Sequence, residues 1–498
     1  MSGVLSVAAR GDVADEVVAH ETTDEQLHAI VLRAVEASAA LARATRADRA
    51  RLLRSMADAL EADGEAIIAA ADRETALGVP RLTGELARSS FQLRLFAEVI
   101  EDGGYLGATI DHADANAQPV ARPDLRRMLV PIGPVAVYSA SNFPLAFSVP
   151  GGDTASAIAA GNAVVIKAHS GHPLTSLLCA AALRRGAEDA GFPADTVALV
   201  FGFEAGRSLV QHPAIRAASF TGSVAGGRAL FDLASARPEP IPFFGELGSI
   251  NALVITPDAL AERAAEIADG LAASFTLGLG QFCTKPGLVL VPHGTDFAAQ
   301  LTAAAPATGG AMLNERIRSG WAKSIDALGS SSQVTTLLQS AAVSLYSMSA
   351  EAVIAAGTAS VAFEECFGPS TLLVSYESDS ELEAVLRLVP GSLTGTVHAG
   401  AEEGAPGTTA ARALALLTER CGRVLWNQYP TGVSVTWAMQ HGGPYPATTS
   451  AASTSVGAAA ILRFLRAVAY QNTPAALLPV ELRDDNPTAV PQRIDGQP

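Results

Sequence analysis

The 498-residue chain is predicted to fold as an α/β protein of two or three domains, on three observations. Short apolar runs alternate with helical stretches from Met128 onward, the pattern of a parallel sheet covered by helices on both faces. A second alternating block begins after Pro242. Apolar residues make up 49% of the sequence against 17% charged, in a chain longer than one hydrophobic core can serve.

Taken in order, Asp24 to Gly103 reads as helical. Leu27, Ile30, Val31, Ala34 and Val35 recur at three- and four-residue spacing, with Asp24 after two threonines as an N-cap signal. Leu52, Leu53, Met56 and Leu60 form the next stripe, and Gly64 and Gly78-Val79-Pro80 break the run. Such stripes are expected to be core. Tyr105 to Arg127 is polar and turn-rich, as two short extended segments standing away from a domain would be. The first alternating block then gives strands over Met128–Ala140, Asn162–Ala168, Thr196–Gly202 and Ala217–Gly222. Helices are expected after Pro150, over Leu174–Ala190 and from Ala205.

The second block gives Asn251–Thr256, a helix over Ala259–Ser274, a glycine-rich bend and a strand Gly287–Pro292. Thr295 to Ser360, rich in alanine and serine, yields no firm elements. Strands resume at Ser370–Tyr376, Ser392–His398 and Arg423–Gln428. A helix near Ala458–Ala467 precedes a proline-punctuated tail, read as an arm on another surface. No internal repeat is visible.

A net charge of −16 without a basic patch speaks against nucleic acid and anionic membranes as partners. The four cysteines, Cys179, Cys283, Cys366 and Cys421, have neither CxxC nor zinc spacing, so no disulfide framework and no metal site are expected, and a reducing cytoplasm is the natural compartment. Met1 to Thr23 does not read as a signal peptide, and no uncharged apolar stretch is bounded like a membrane span.

The chemistry centres on Gly280-Gln281-Phe282-Cys283-Thr284-Lys285-Pro286-Gly287, where a glycine-flanked bend presents Cys283 as a candidate nucleophile. A free cysteine taken alone is more often an inert core thiol. Glu246, between Gly245 and Leu247-Gly248, is a candidate general base, its carboxyl expected to rise toward neutrality in apolar surroundings; the competing reading is an exposed turn glutamate. Asn142, ahead of Phe143-Pro144, is a candidate oxyanion donor or an Asx cap. A GxGxxG motif is missing. Instead Gly222 and Gly227 flank Ser223 where a strand meets a helix, a place where backbone can hold a pyrophosphate. Lys167 ends the strand Val164-Val165-Ile166-Lys167, on the side where open α/β sheets bind ligands.

Jointly these motifs resemble the aldehyde dehydrogenase superfamily. The match runs in order through Asn142-Phe143-Pro144, Val165-Ile166-Lys167, Phe220-Thr221-Gly222-Ser223, Glu246-Leu247-Gly248, Gly280-Gln281-Phe282-Cys283 and Glu365-Cys366-Phe367-Gly368-Pro369. Gln281 to Gly287, His441-Gly442-Gly443-Pro444 and Ala467-Val468-Ala469-Tyr470-Gln471 are similar in wording to the α-ketoglutarate semialdehyde dehydrogenase branch.

The resemblance implies Cys283 as nucleophile, Glu246 as base and Asn142 with the Cys283 amide as oxyanion hole. It implies Lys167 at the adenosine ribose or its phosphate, Ser223 at the pyrophosphate, Glu365 at the nicotinamide ribose and Phe367 beside the nicotinamide. Phe147, Phe282 and Trp437 would line the aldehyde tunnel. NAD-preferring relatives commonly carry a glutamate where this chain has Ser170. Its loss makes NADP acceptable, with Lys167 or His169 facing the phosphate and NAD still possible. A loop histidine is otherwise commonly just exposed.

The implied architecture is a Rossmann-like cofactor domain (1–105 and 128–247, with 445–464 returning to it), an α/β catalytic domain (248–444) and a small β oligomerisation arm (106–127 and 465–498) that pairs subunits into a homodimer or homotetramer. The expected reaction is NAD(P)-dependent oxidation of α-ketoglutarate semialdehyde to 2-oxoglutarate, or alternatively of a fatty aldehyde. A CoA-acylating relative usually lacks the base, and a silent one would have lost Cys283, Glu246 or Asn142. A cysteine hydrolase needs a histidine on the thiol, and none of the nine sits in a motif that announces it.

Overall fold

A computed structural model describes residues 4–7 and 16–497. Residues 1–3 and 8–15, which belong to the start of the expected cofactor domain and make up about half of the Met1–Thr23 leader reading, lie outside that range, as does Pro498 of the expected arm. Val4–Val7 pairs antiparallel with Glu16–His20.

Four helices follow, over Asp24–Arg43, Arg46–Ala62, Gly64–Thr75 and Val79–Asp102. The first is capped one residue earlier than the sequence suggested. Thr23 accepts from the Gln26 amide and Gln26 returns the bond, a reciprocal cap that leaves Asp24 in the first turn beside the positive helix end. Leu27, Val31, Ala34, Leu52, Leu53, Met56 and Leu60 are buried as predicted, whereas Val35 faces outward.

These helices pack against a five-stranded parallel sheet ordered Val197–Val200, Val164–Lys167, Val135–Tyr138, Ala217–Thr221, Phe243–Glu246. The chain winds outward from Val135–Tyr138 in one direction, then returns to its other side, so the order reverses between Val135–Tyr138 and Ala217–Thr221. Ligands of open α/β sheets bind at the carboxyl end of such a reversal. The predicted single strand Met128–Ala140 is in fact two: Leu125–Pro131 belongs to another sheet, and Gly133, at φ +119° before Pro134, turns the chain into Val135–Tyr138.

A second sheet of seven strands runs Thr335–Gln339, Ser344–Ser349, Ser370–Tyr376, Leu288–Pro292, Ala252–Ile255, Ser392–His398, Cys421–Trp426. All neighbours are parallel except the edge hairpin Thr335–Gln339 and Ser344–Ser349. The unplaced stretch 295–360 thus supplies that hairpin, with helices Phe297–Ala304, Glu315–Ser330 and Ala350–Ala356. Its weak signal has a cause: Thr335–Gln339 is an exposed edge strand without a buried face to set an alternation.

The third sheet joins distant segments in the order Leu465–Gln471, Leu125–Pro131, Ala108–Asp111, Gln492–Ile494. Two expectations are corrected here. Ala458–Ala467 is a 3₁₀ turn over Ala458–Phe464 followed by strand Leu465–Gln471, and the boundary drawn at 128 falls inside the strand Leu125–Pro131.

Candidate active site

Cys283 sits in the loop between helix Pro257–Thr276 and strand Leu288–Pro292, and the loop is pinned at several points. The Asn251 amide donates to the Cys283 carbonyl (2.8 Å) and the Lys285 carbonyl (2.9 Å). The buried Lys285 ammonium donates to the Ser370 carbonyl (2.7 Å), and Gln281 Oε1 accepts from the Leu313 amide (2.9 Å). Gly280 adopts φ +65°, and a Cβ there would lie 2.1 Å from the Gly368 carbonyl oxygen. Burial, and then the charge of Glu246, push the Cys283 thiol well above its ordinary value, so it rests protonated.

Glu246 ends the strand Phe243–Glu246 and is only 3% exposed. Ser455 donates to its Oε2 (2.5 Å), and His441 Nε2 lies 3.0 Å from its Oε1. The same Nε2 lies 3.7 Å from Cys283 Sγ. Two expectations change here. Burial does raise the Glu246 carboxyl, but His441, Ser455 and the thiol together outweigh it and hold the group below its ordinary value rather than near neutrality. A histidine does face the thiol: His441, 158 positions further along the chain, where no local motif announces it. The Thr454 hydroxyl anchors its backbone amide (2.8 Å), and its Nδ1 is buried without a partner.

Asn142 is brought to the same loop, its side-chain amide donating to the Gln281 carbonyl (3.0 Å). Its own carbonyl accepts from Arg81 Nη2 (2.6 Å) on helix Val79–Asp102.

These groups open onto a cavity of about 1270 Å³ that extends to the carboxyl ends of the five-stranded sheet. Asn142, Phe147, Glu246 and Cys283 line it, as do Lys167, His169, Ser170, Gly222, Ser223, Glu365 and Phe367. Gly227, Phe282 and Trp437 are not among its lining residues. Gly227 serves packing, since a Cβ there would meet Leu247 Cδ2 at 2.1 Å. The Phe282 ring packs edge-on against Phe143 (5.2 Å between centroids) with the Arg81 guanidinium over it, and Trp437 is 54% exposed.

The far half of the cavity suits a dinucleotide. Ser223 caps helix Val224–Ser235 by accepting from the Gly226 amide (3.2 Å), so a helix N-terminus faces the cavity. Burial, followed by the charges of His172, Lys167 and Arg316, holds His169 well below its ordinary value, so its ring is neutral and carries no charge toward a phosphate. Burial and then Arg316 also lower Lys167. Arg316 and Arg207, missed from the sequence, add guanidinium groups to the cavity wall. Arg316 was out of reach because it lies in the unplaced stretch. Burial brings Glu365 up to about 7, against the Ser249 amide and the Lys285 charge.

A sequence model described as "Aldehyde dehydrogenase family" matches residues 9–466. The chain is 46% identical over 468 residues to alpha-ketoglutaric semialdehyde dehydrogenase 2 of Azospirillum brasilense, covering 91% of this chain and 87% of that one. It is 43% identical over 464 residues, with the same coverage, to alpha-ketoglutaric semialdehyde dehydrogenase of Acinetobacter baylyi. Among solved structures it superposes with a TM-score of 0.77 on a variant aldehyde dehydrogenase C of Pseudomonas syringae in complex with NAD+ and octanal, 21% identical, covering 96% of this chain and 94% of that one.

Proposed function

The chain belongs to the aldehyde dehydrogenase family and oxidises an aldehyde to a carboxylic acid; from that premise we propose that its substrate is α-ketoglutarate semialdehyde and its preferred cofactor NADP. The observation that carries the site assignment is the meeting of the Cys283 thiol, the Glu246 carboxylate and the His441 imidazole within 4.8 Å of one another at the end of a cavity large enough for a dinucleotide.

The resting thiol needs a proton acceptor, and two are at hand: the Glu246 carboxylate, and His441 Nε2 in the tautomer that leaves it unprotonated, which then donates the proton it gains to Glu246. As the thiol loses its proton, the sulfur attacks the aldehyde carbon. The oxygen of the resulting hemithioacetal is stabilised by the Asn142 amide and the Cys283 backbone N–H. Lys167, Ser223, Arg316 and Glu365 would hold a nicotinamide dinucleotide, which when bound would supply a hydride acceptor. Loss of hydride leaves a thioester on Cys283. Glu246, held ionised by Ser455 and His441, takes a proton from water as that water attacks the thioester, and the acid leaves.

The NADP reading is supported by Ser170, which adds no negative charge beside the cavity, and by Arg316, whose charge reaches both Lys167 and His169. The five-stranded unit is read as the cofactor domain and the seven-stranded one as the catalytic domain. The four-stranded sheet is read as an assembly arm: Leu465–Gln471 is its unpaired edge, and Leu477 and Ile494 are exposed nearby.

The test is single turnover of Glu246→Gln with 2,5-dioxopentanoate. One equivalent of NADPH should form per site with a thioester on Cys283 detectable by mass, and acid release should fall by about 10²- to 10⁴-fold. Full steady-state turnover by this variant, or by Cys283→Ala, overturns the assignment.

A further inference from the structure

We propose that Arg88, supported by Arg423, receives the distal carboxylate of the aldehyde and selects short semialdehydes that carry an anionic far end. The inference rests on the aldehyde-oxidising reading of the same cavity and adds the substrate class it is built for.

Helix Val79–Asp102 places Arg81, Glu85, Arg88 and Gln92 on one face, at spacings of four, three and four. Three of these side chains hold the loop that carries Asn142. Arg81 donates to the Asn142 carbonyl (2.6 Å) and pairs with Glu85 (3.2 Å). Glu85 accepts from the Leu145 amide (3.3 Å), and Gln92 Nε2 donates to the Ala146 carbonyl (3.5 Å).

Arg88 is the exception. Its Cζ sits over the Phe147 ring, 5.3 Å from the centroid, and Nη1 donates to the Val433 carbonyl (2.6 Å). Its Nε and Nη2 are buried with no partner. Arg423, on strand Cys421–Trp426, reaches the same segment from the other sheet. Its Nη2 donates to the carbonyls of Pro430 (2.6 Å) and Gly432 (3.0 Å), and its Nε is likewise buried without a partner. Among the described residues, neither guanidinium makes an ion pair with a carboxylate.

Two half-buried guanidinium groups with buried, unpartnered nitrogens and no carboxylate are costly, because burial disfavours their charge. Two carboxylates act on Arg88 through space, Glu85 and Glu246, and neither pairs with it. Glu85 is committed to Arg81, and Glu246 to His441 and Ser455. An anion brought in by the substrate completes this set.

Phe147 links the subsite to the chemistry. It lines the cavity, covers Arg88, and its ring lies 6.3 Å from that of His441, which touches the thiol. Arg88 and Arg423 do not themselves line the cavity, so the Phe147 ring must turn to open the guanidinium fork to a carboxylate while the aldehyde carbon rests at Cys283. A long alkyl chain in the same place leaves both cations unpaired.

The experiment compares kcat/KM for 2,5-dioxopentanoate and for pentanal, which has as many carbons and no carboxylate, in the wild type and in Arg88→Met, Arg88→Lys and Arg423→Met, each checked by thermal melt. In Arg88→Met the ratio of anionic to neutral substrate should fall about 10- to 100-fold, chiefly through KM. Arg88→Lys should recover part of that ratio, and Arg423→Met should lower it less. Glutarate should compete with pentanal in the wild type and lose that effect in Arg88→Met. If Arg88→Met does not fold, Arg88→Lys and Arg423→Met decide. A ratio unchanged in every folded variant overturns the carboxylate subsite while leaving the semialdehyde reading intact. A wild type that favours pentanal overturns the reading itself.

Discussion

His441 Nε2 and Cys283 Sγ stand 3.7 Å apart, and the same nitrogen is 3.0 Å from Glu246 Oε1. One imidazole edge therefore touches both groups to which the proposed mechanism assigns proton transfers, the thiol before attack and the carboxylate during hydrolysis.

Replacing His441 by glutamine keeps a polar contact but removes a nitrogen that can accept the thiol proton. The thiol, raised by burial and by Glu246, then lacks that acceptor and should need a higher pH to react. The expected outcome is a loss of about 10²-fold in kcat/KM at neutral pH, recovering as pH rises. The pH profile of thiol alkylation, followed alongside the rate, checks it; an unshifted acid limb contradicts the proton-acceptor role.

Glu365, brought up to about 7 by burial, predicts pH-dependent cofactor binding. A carboxylate accepts hydrogen bonds from ribose hydroxyls best when ionised, and a raised group holds its proton below its own pKa. Affinity for NADP should therefore increase as pH rises through about 7 and level off above it. Fluorescence titration across that range, with Glu365→Gln as the variant that loses the dependence, is the measurement.

Arg316→Ala removes an exposed guanidinium from the cavity wall. Its effect should fall on the 2′-phosphate, lowering kcat/KM for NADP by about 10-fold while NAD changes much less. The contrast should shrink at high salt, because the charge is open to screening. Equal losses with both cofactors would mean that Arg316 supports the fold and not the phosphate.

Gly280→Ala should destabilise the protein by more than about 2 kcal/mol, since the residue adopts φ +65° and its Cβ would lie 2.1 Å from the Gly368 carbonyl oxygen. Thermal melts measure the loss. Turnover of whatever protein remains folded should fall as well, because the Gly368 segment and the cysteine loop cannot both keep their places.

Much of the fold was legible because the buried strands are short apolar runs between helices of regular period; Val164–Lys167, Ser370–Tyr376 and Ser392–His398 are instances. The break at Gly133 was missed because apolar residues continue on both sides of it. Thr335–Gln339 was missed because an edge strand has little buried face to mark it.

The sequence by itself pointed to the α/β class, to Cys283, Glu246 and Asn142 as one candidate group, which the fold does gather on one cavity, and to the glycine–serine turn at Gly222-Ser223. Each lies in a local context whose backbone demands or residue order can be read directly. Tertiary structure alone decided that His441 meets the thiol, that Glu246 is held below its ordinary range, and that Phe147 lies over Arg88. Proton affinity and pairing depend on distances between groups that are far apart along the chain, and only folding sets those distances.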